Sequence, residues 1–74
     1  DLETKGNLLE TAINYVLNDA DIQKTAQAML QHKNTIRYRL KNISNIIGMN
    51  VFETKNYEIL SFAVRIFICN DESI

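Results

Sequence analysis

The sequence predicts an all-α fold, a small four-helix domain, on three observations. Proline is absent and glycine occurs only twice in 74 residues, so few positions interrupt a helix. Apolar residues recur at helical spacing in four separate segments. Residues that commonly cap helices stand between those segments. A chain of this length has room for one domain, so residues 1–74 are expected to fold as a single unit.

The first helix is predicted over residues 8–18. Asn7 stands before the apolar run with Glu10 three positions later, which resembles a capping box and places the helix start at Asn7. The apolar positions of this helix are Leu8, Leu9, Ala12, Ile13, Val16 and Leu17. The polar segment 18–21 then ends it.

The second and third helices are predicted over residues 22–29 and 33–47. Asp21 can cap the second helix, whose apolar positions are Ile22, Ala26, Met29 and, at its end, Leu30. A new phase begins after His32, so a turn of about three residues separates the two helices. The apolar sector of the third helix is expected to contain Ile36, Leu40, Ile43 and Ile47, and Gly48 to end it in a left-handed conformation.

The fourth helix, predicted over residues 55–69, is apolar on more than one face. An amphipathic helix on a protein surface normally shows one apolar stripe. Two interpretations follow. Either this helix is central in the core, or its second face is covered by a second copy of the chain or by the rest of a parent protein, through some of Ile59, Phe62, Ile66 and Phe67. The second interpretation gives an alternative function, a protein-interaction or dimerisation module.

Composition excludes several classes of protein. The chain is 46% hydrophobic and 23% charged, as in ordinary globular domains. A single cysteine, Cys69, and a single histidine exclude a disulfide framework and a zinc finger, and Cys69 is expected to be an inert core thiol. No segment reaches the roughly 20 apolar residues that cross a bilayer. Acids lie near the ends and no phosphate-binding glycine loop occurs, so we expect no enzyme, cofactor or metal site. The first residues show no basic segment followed by an apolar run, so we expect no secretory signal and a cytoplasmic location.

Acidic and basic residues occupy different parts of the chain, although the net charge is only −1. Between Asp21 and Glu53 there is no acidic residue, and that segment carries five cations: Lys24, Lys33, Arg37, Arg39 and Lys41. A basic run is often only a solvated helix face. A solvated face would interleave Glu with Lys, however, and this one does not. The segregation therefore favours a surface that binds a polyanion.

A helical wheel of the third helix predicts the binding residues. The sector opposite its apolar residues combines cations that bind phosphate with residue types that hydrogen-bond base edges. Thr35 can offer its hydroxyl or a free backbone amide to a phosphate, and His32 is expected to cap the helix or to contact a phosphate. Arg39, at the border of the buried sector, is expected to pack or hydrogen-bond within the protein. The predicted DNA-binding residues are His32, Lys33, Asn34, Thr35, Arg37, Tyr38 and Lys41.

The same residues carry a family resemblance. The block His32-Lys33-Asn34-Thr35-Ile36-Arg37-Tyr38-Arg39-Leu40, preceded by Ala26, Ala28, Met29 and Leu30 and followed by Ile43 and Gly48, resembles the C-terminal helix-turn-helix domain of PucR-type transcriptional regulators. That family includes regulators of purine catabolism and of sugar-diacid use, and its domain is similar to the Fis-like DNA-binding fold. The resemblance covers roughly residues 8–67. Lys33 replaces the family's usual arginine, and Gln31 replaces an aliphatic residue of the turn.

The resemblance implies a Fis-like helix-turn-helix, with residues 33–47 as the recognition helix in the major groove of double-stranded DNA. It also implies a transcriptional regulator whose effector-sensing region lies upstream of Asp1. The chain does not begin with methionine, so we expect it to be the C-terminal piece of a longer regulator that acts at the nucleoid. A homodimer formed through residues 55–69 would match two half-sites on DNA.

Overall fold

Four helices form the fold, as the sequence predicts. The computed structural model describes the backbone of residues 2–72 and the side chains of residues 7–70. Within that backbone no strand occurs. The helices are α1 (Leu2–Leu17), α2 (Ile22–Met29), α3 (Lys33–Ile47) and α4 (Thr54–Glu72). The bounds of α2 and α3 agree with the prediction, and α4 continues three residues beyond its predicted end.

The predicted start of α1 at Asn7 is wrong. The helix begins at Leu2, and Asn7 lies inside it, where its backbone carbonyl accepts a hydrogen bond from the Thr11 hydroxyl at 2.6 Å. The preceding segment continues the helix through Gly6, because one glycine inside a helix costs only about 1 kcal/mol. A residue type that favours caps therefore does not fix a helix start when the upstream residues can also be helical.

The corner between α1 and α2 is built by the polar connection that the sequence predicts. Asp19 and Ala20 both have left-handed backbone conformations, with φ of 56° and 64°. Asp21 then caps α2, because its Oδ1 accepts a hydrogen bond from the backbone N–H of Lys24 at 3.0 Å. The buried Thr25 hydroxyl donates to the Asp21 carbonyl at 2.7 Å. The predicted cap is confirmed.

The core is made of buried apolar side chains from all four helices and from the connection before α4. α3 packs against both α1 and α2, and the predicted sector formed by Ile36, Leu40 and Ile43 is buried. Ile47, expected in that sector, is 42% exposed, because the chain turns at Gly48 and the fully buried Val51 covers that end of the core. The buried apolar residues are Leu8, Ala12, Tyr15, Val16, Ala26, Ile36, Leu40, Ile43, Val51 and Val64.

The helix α4 packs against α1 and against neither of the other two helices. Its contact is centred on Val64, with Tyr57 stacking edge-to-face on Tyr15 at 5.6 Å between ring centroids. Burial, and secondarily the neighbouring Tyr57, raise the pKa of the Tyr15 hydroxyl. Of the two interpretations of α4, the central position is therefore wrong. The expectation that Cys69 is a core thiol is also wrong, because its side chain is exposed.

The turn between α2 and α3 places Leu30 in the left-handed region, with φ of 55°. The backbone N–H of Gln31 donates to the Ala26 carbonyl at 2.9 Å, and that of Leu30 to the Gln27 carbonyl at 3.2 Å. This pattern is a Schellman motif, which normally has glycine at its left-handed residue. Leu30 is 91% exposed, so its expected contribution to the apolar side of α2 is wrong. The left-handed backbone directs its side chain into solvent.

We expect Leu40→Ala to lower the free energy of unfolding by about 2–5 kcal/mol, because it opens a cavity in the centre of the core. Ile46→Ala is the matched control on the same helix, since Ile46 is 69% exposed, and it should change stability little. Urea unfolding followed by circular dichroism measures both. Equal midpoints for the two variants would contradict the packing of α3.

We expect Leu30→Gly to stabilise the domain by about 0.5–1 kcal/mol. The substitution relieves the steric cost of a left-handed Leu, partly offset by the larger backbone entropy of glycine in the unfolded chain, and it removes no buried contact. Gly48→Ala, at φ of 74° with no atom near its Cβ position, is the reverse control and should destabilise. Thermal midpoints that move in the same direction for both variants would contradict this account.

Candidate nucleic-acid interface

The corner formed by α2 and α3 is the structural frame of the candidate interface. α2 contributes the buried Ala26 and the half-buried Met29, and both pack toward the core. The small side chain of Ala26 lets the two helices approach closely. Because three residues join helices that both pack on α1, the exposed face of α3 has a defined position relative to α2.

His32 begins α3 by capping it. Its Nδ1 accepts a hydrogen bond from the backbone N–H of Asn34 at 3.1 Å, and its backbone is extended, with φ of −73° and ψ of 145°. Of the two roles predicted for His32, the structure confirms capping. An Nδ1 atom that accepts carries no proton, so in this state the proton is on Nε2. The side chain is exposed, which makes Nε2–H an available donor at the start of the helix.

Thr35 differs from its expected role in one respect. Its backbone N–H donates to the His32 carbonyl at 2.9 Å, so the free amide predicted for a phosphate is already engaged. The Ile36 N–H donates to the same carbonyl at 3.2 Å. The Ile36 bond is the ordinary first hydrogen bond of the helix, whereas the Thr35 bond belongs to a tight first turn that engages a donor which an α-helix normally leaves open. The half-buried Thr35 keeps only its hydroxyl for a ligand.

The outward face of α3 is exposed along its length, as the wheel predicts. Tyr38 is 67% exposed at the middle of the helix, and the cations of the face also reach solvent. The guanidinium of Arg37 donates to Oδ1 of Asn34 at 3.2 Å, one turn earlier. This bond links the Asn34 amide, which is predicted to hydrogen-bond a base edge, to a cation, and the second lone pair of Oδ1 stays available. The exposed residues of this face are Lys33, Asn34, Arg37, Tyr38, Lys41 and Asn45.

Arg39 lies away from that face. It is half-buried in a crevice between α1 and α3 that Leu8, Thr35 and Asn42 also line. Its aliphatic stem covers the edge of the core, which agrees with the expected packing role and not with base reading.

Glutamines of α2 and of the turn extend the candidate surface in a way that the sequence reasoning missed. Gln23, Gln27 and Gln31 line a shallow depression together with His32 and Lys33. Gln23 and Gln27 are four residues apart, which is the signal that could have placed them on one face of α2, and Gln31 joins them from the turn. Their amides can donate to phosphates and add no negative charge.

Neither a metal site nor a membrane-spanning helix occurs among the described residues. Among the side chains of residues 7–70, no cluster of three or more His, Cys, Asp or Glu residues could hold a metal ion. Within the described part of the chain, no helix has the length and apolar character that crossing a bilayer requires.

Comparisons with known proteins agree with this geometry. A family model described as the PucR C-terminal helix-turn-helix domain matches residues 8–66. A protein of Haemophilus influenzae described as uncharacterized is 38% identical over 47 residues, which are 64% of this chain. The matched part is 13% of that relative, so the chain corresponds to a small portion of its length. No solved structure matches the chain.

We expect His32→Ala to lower the free energy of unfolding by about 1 kcal/mol, because the N–H of Asn34 loses its capping acceptor. His32→Asn should keep wild-type stability within a few tenths of a kcal/mol, since Asn is a good N-cap. Chemical unfolding at pH 7.5 compares the three proteins. An alanine variant as stable as the wild type would show that the cap contributes nothing.

Proposed function

We propose that this chain binds double-stranded DNA sequence-specifically as the output domain of a transcriptional regulator. The chain belongs to the PucR C-terminal helix-turn-helix family, which is a family of DNA-binding regulator domains and not of enzymes. The single observation that carries the proposal is the outward face of α3. That face combines three cations with amide and phenol groups, and the sequence has no acidic residue between Asp21 and Glu53.

In this proposal α3 lies in the major groove. The helix is about 22 Å long, from 15 residues at 1.5 Å each, and a groove about 12 Å wide admits it. Residues early in a recognition helix reach deepest, so Asn34, Arg37 and Tyr38 contact base edges. Asn34 suits adenine and Arg37 suits guanine.

The remaining predicted residues contact the DNA backbone. Lys33 and Lys41 neutralise phosphates, and the Thr35 hydroxyl donates to one. In this proposal His32 donates Nε2–H to a phosphate while its Nδ1 caps α3, so one side chain both starts the helix and positions it on DNA; the observed cap supports this role. These contacts set the register of the helix and carry no sequence information themselves.

The wider context follows from the family. We infer that residues 1–74 are the C-terminal part of a longer regulator and that an effector-sensing region precedes them. The protein acts in the cytoplasm, at the nucleoid, where its DNA target is. Effector binding in the upstream region would alter the affinity or the arrangement of this domain on DNA.

A second candidate function is a protein-interaction or dimerisation module that uses residues 55–69. The observation that favours it is the exposure of four large apolar side chains on the part of α4 that α1 does not cover: Ile59, Phe62, Ile66 and Phe67. The two candidates are compatible, because a homodimer would present two recognition helices to two half-sites.

The roles proposed for Asn34 and Lys41 predict two kinds of mutant. Lys41→Ala should weaken binding to all duplexes about equally and lower the slope of log affinity against log salt by roughly one unit, because one phosphate contact is lost. Asn34→Ala should cost about 1–3 kcal/mol on the preferred site and little on random DNA. Fluorescence anisotropy at several salt concentrations, with a site selected from random duplexes, measures both.

Glu10→Gln is the matched control, since it removes one charge from an exposed position of α1 and not from α3. It should leave both the affinity and the salt slope unchanged. A uniform loss in both α3 variants would mean that the helix anchors the protein electrostatically without reading bases. Wild-type affinity in both variants would refute the DNA-binding proposal.

A further inference from the structure

The helix α4 carries two apolar stripes on opposite sides. The first, which packs toward α1, consists of Tyr57, Leu60, Val64 and Ile68. The second, here called the outer stripe, is exposed and consists of Ile59, Phe62, Ile66 and Cys69. At 100° per residue the centres of the two stripes lie nearly opposite one another. The outer stripe therefore faces away from everything else in the domain.

The outer stripe has the spacing of a coiled-coil seam. Its residues follow one another at intervals of three, four and three, which are the a and d positions of a heptad repeat. Phe67 is also exposed but lies outside this stripe, about 120° around the helix.

Two shallow depressions along the outer stripe could each receive a side chain from a facing helix. Lys55, Glu58, Ile59 and Phe62 line one of them. Phe62, Arg65, Ile66 and Cys69, with Asn70, line the other. Each set of four is a diamond of residues i, i+3, i+4 and i+7, which is the hole that receives one side chain from a facing helix. The surface is thus a row of holes with Phe62, 69% exposed, as the protruding side chain between them.

We propose that the occupant of this face is α4 of a second copy of the chain, running antiparallel, so that Phe62 of each copy fills the hole lined by Lys55, Glu58 and Ile59 of the other. This inference rests on the dimerisation candidate above and specifies its partner, its face and its orientation. A two-fold axis makes the contact self-complementary, since the same residues meet from both sides.

Charge selects the antiparallel orientation. Glu58 and Arg65 lie on the same edge of the outer stripe, seven residues apart and opposite in sign. In antiparallel helices centred between Ile59 and Phe62, Glu58 of one copy meets Arg65 of the other, and the pair forms twice. Arg65 donates from Nε to Ser61 within its own helix at 3.2 Å, which leaves its terminal nitrogens for that carboxylate. A parallel arrangement brings these groups opposite Ala63 and Asn70 instead and forms no ion pair.

A charge-reversal experiment on the intact 74-residue chain tests the proposal without DNA, so its outcome is separate from that of the DNA-binding proposal. Sedimentation equilibrium at up to 1 mM protein should detect a wild-type dimer. Glu58→Arg and Arg65→Glu should each weaken self-association at least tenfold, because like charges then face each other. An equimolar mixture of the two variants should form a heterodimer at close to wild-type affinity, since opposite charges face each other again. Circular dichroism should show both variants folded, because both positions are exposed.

Glu10→Arg, an equivalent reversal on an exposed position of α1, is the matched control and should not change self-association. Phe62→Ser should abolish the dimer. Oxidation should produce no disulfide-linked dimer, because the antiparallel register separates the two Cys69 residues by about 25 Å along the helix axis. A monomer at every concentration overturns the proposal. So does a Cys69-linked dimer that is insensitive to the charge reversals, which would indicate a parallel seam.

Discussion

The candidate interface depends on how the chain turns between Met29 and Lys33. Three residues join α2 to α3, and hydrogen bonds close each end of the turn. Leu30 and Gln31 close α2 by donating to carbonyls of its last turn, and the His32 imidazole closes the first turn of α3. These hydrogen bonds define the position of the outward face of α3 beside the glutamines of α2. A surface that is already arranged for its ligand loses less entropy on binding.

That turn contains an unfavourable backbone conformation. A left-handed Leu costs about 1–2 kcal/mol, and Leu30 recovers none of it through burial. Burial elsewhere in the helix pair compensates, because Ile36 and Leu40 of α3 are fully buried in the core. Gly48 ends α3 with the same left-handed backbone conformation and has no side chain. The left-handed ending of a helix therefore does not need a side chain at that position. The Schellman hydrogen bonds hold Leu30 in place whatever its side chain contributes.

The helix α4 differs from the other three helices in how its apolar side chains are covered. The first three helices pack around one core, with every pair of them in contact, whereas α4 touches only α1. A peripheral helix with a single supporting contact would normally expose a polar face. α4 instead exposes a second stripe at heptad spacing, so two opposite sides of the helix are apolar, one packed on α1 and the other forming the face that we propose as the dimer contact. In the proposed dimer, one side of α4 packs on the core of its own copy and the opposite side contacts α4 of the second copy.

Sequence alone determined the elements whose signals are local. The Asp21 cap, the phase change before Ile36 and the glycine at position 48 gave the bounds of α2 and α3, and the acid-free segment gave the composition of the outward face. The tertiary structure decided what depends on neighbours distant in sequence. It buried Val51 in place of Ile47, turned Leu30 outward, engaged the Thr35 amide and put α4 at the edge of the core and not at its centre. The physical reason is that capping and helical periodicity depend on the residues within one or two turns, whereas burial depends on which other helix covers a given face.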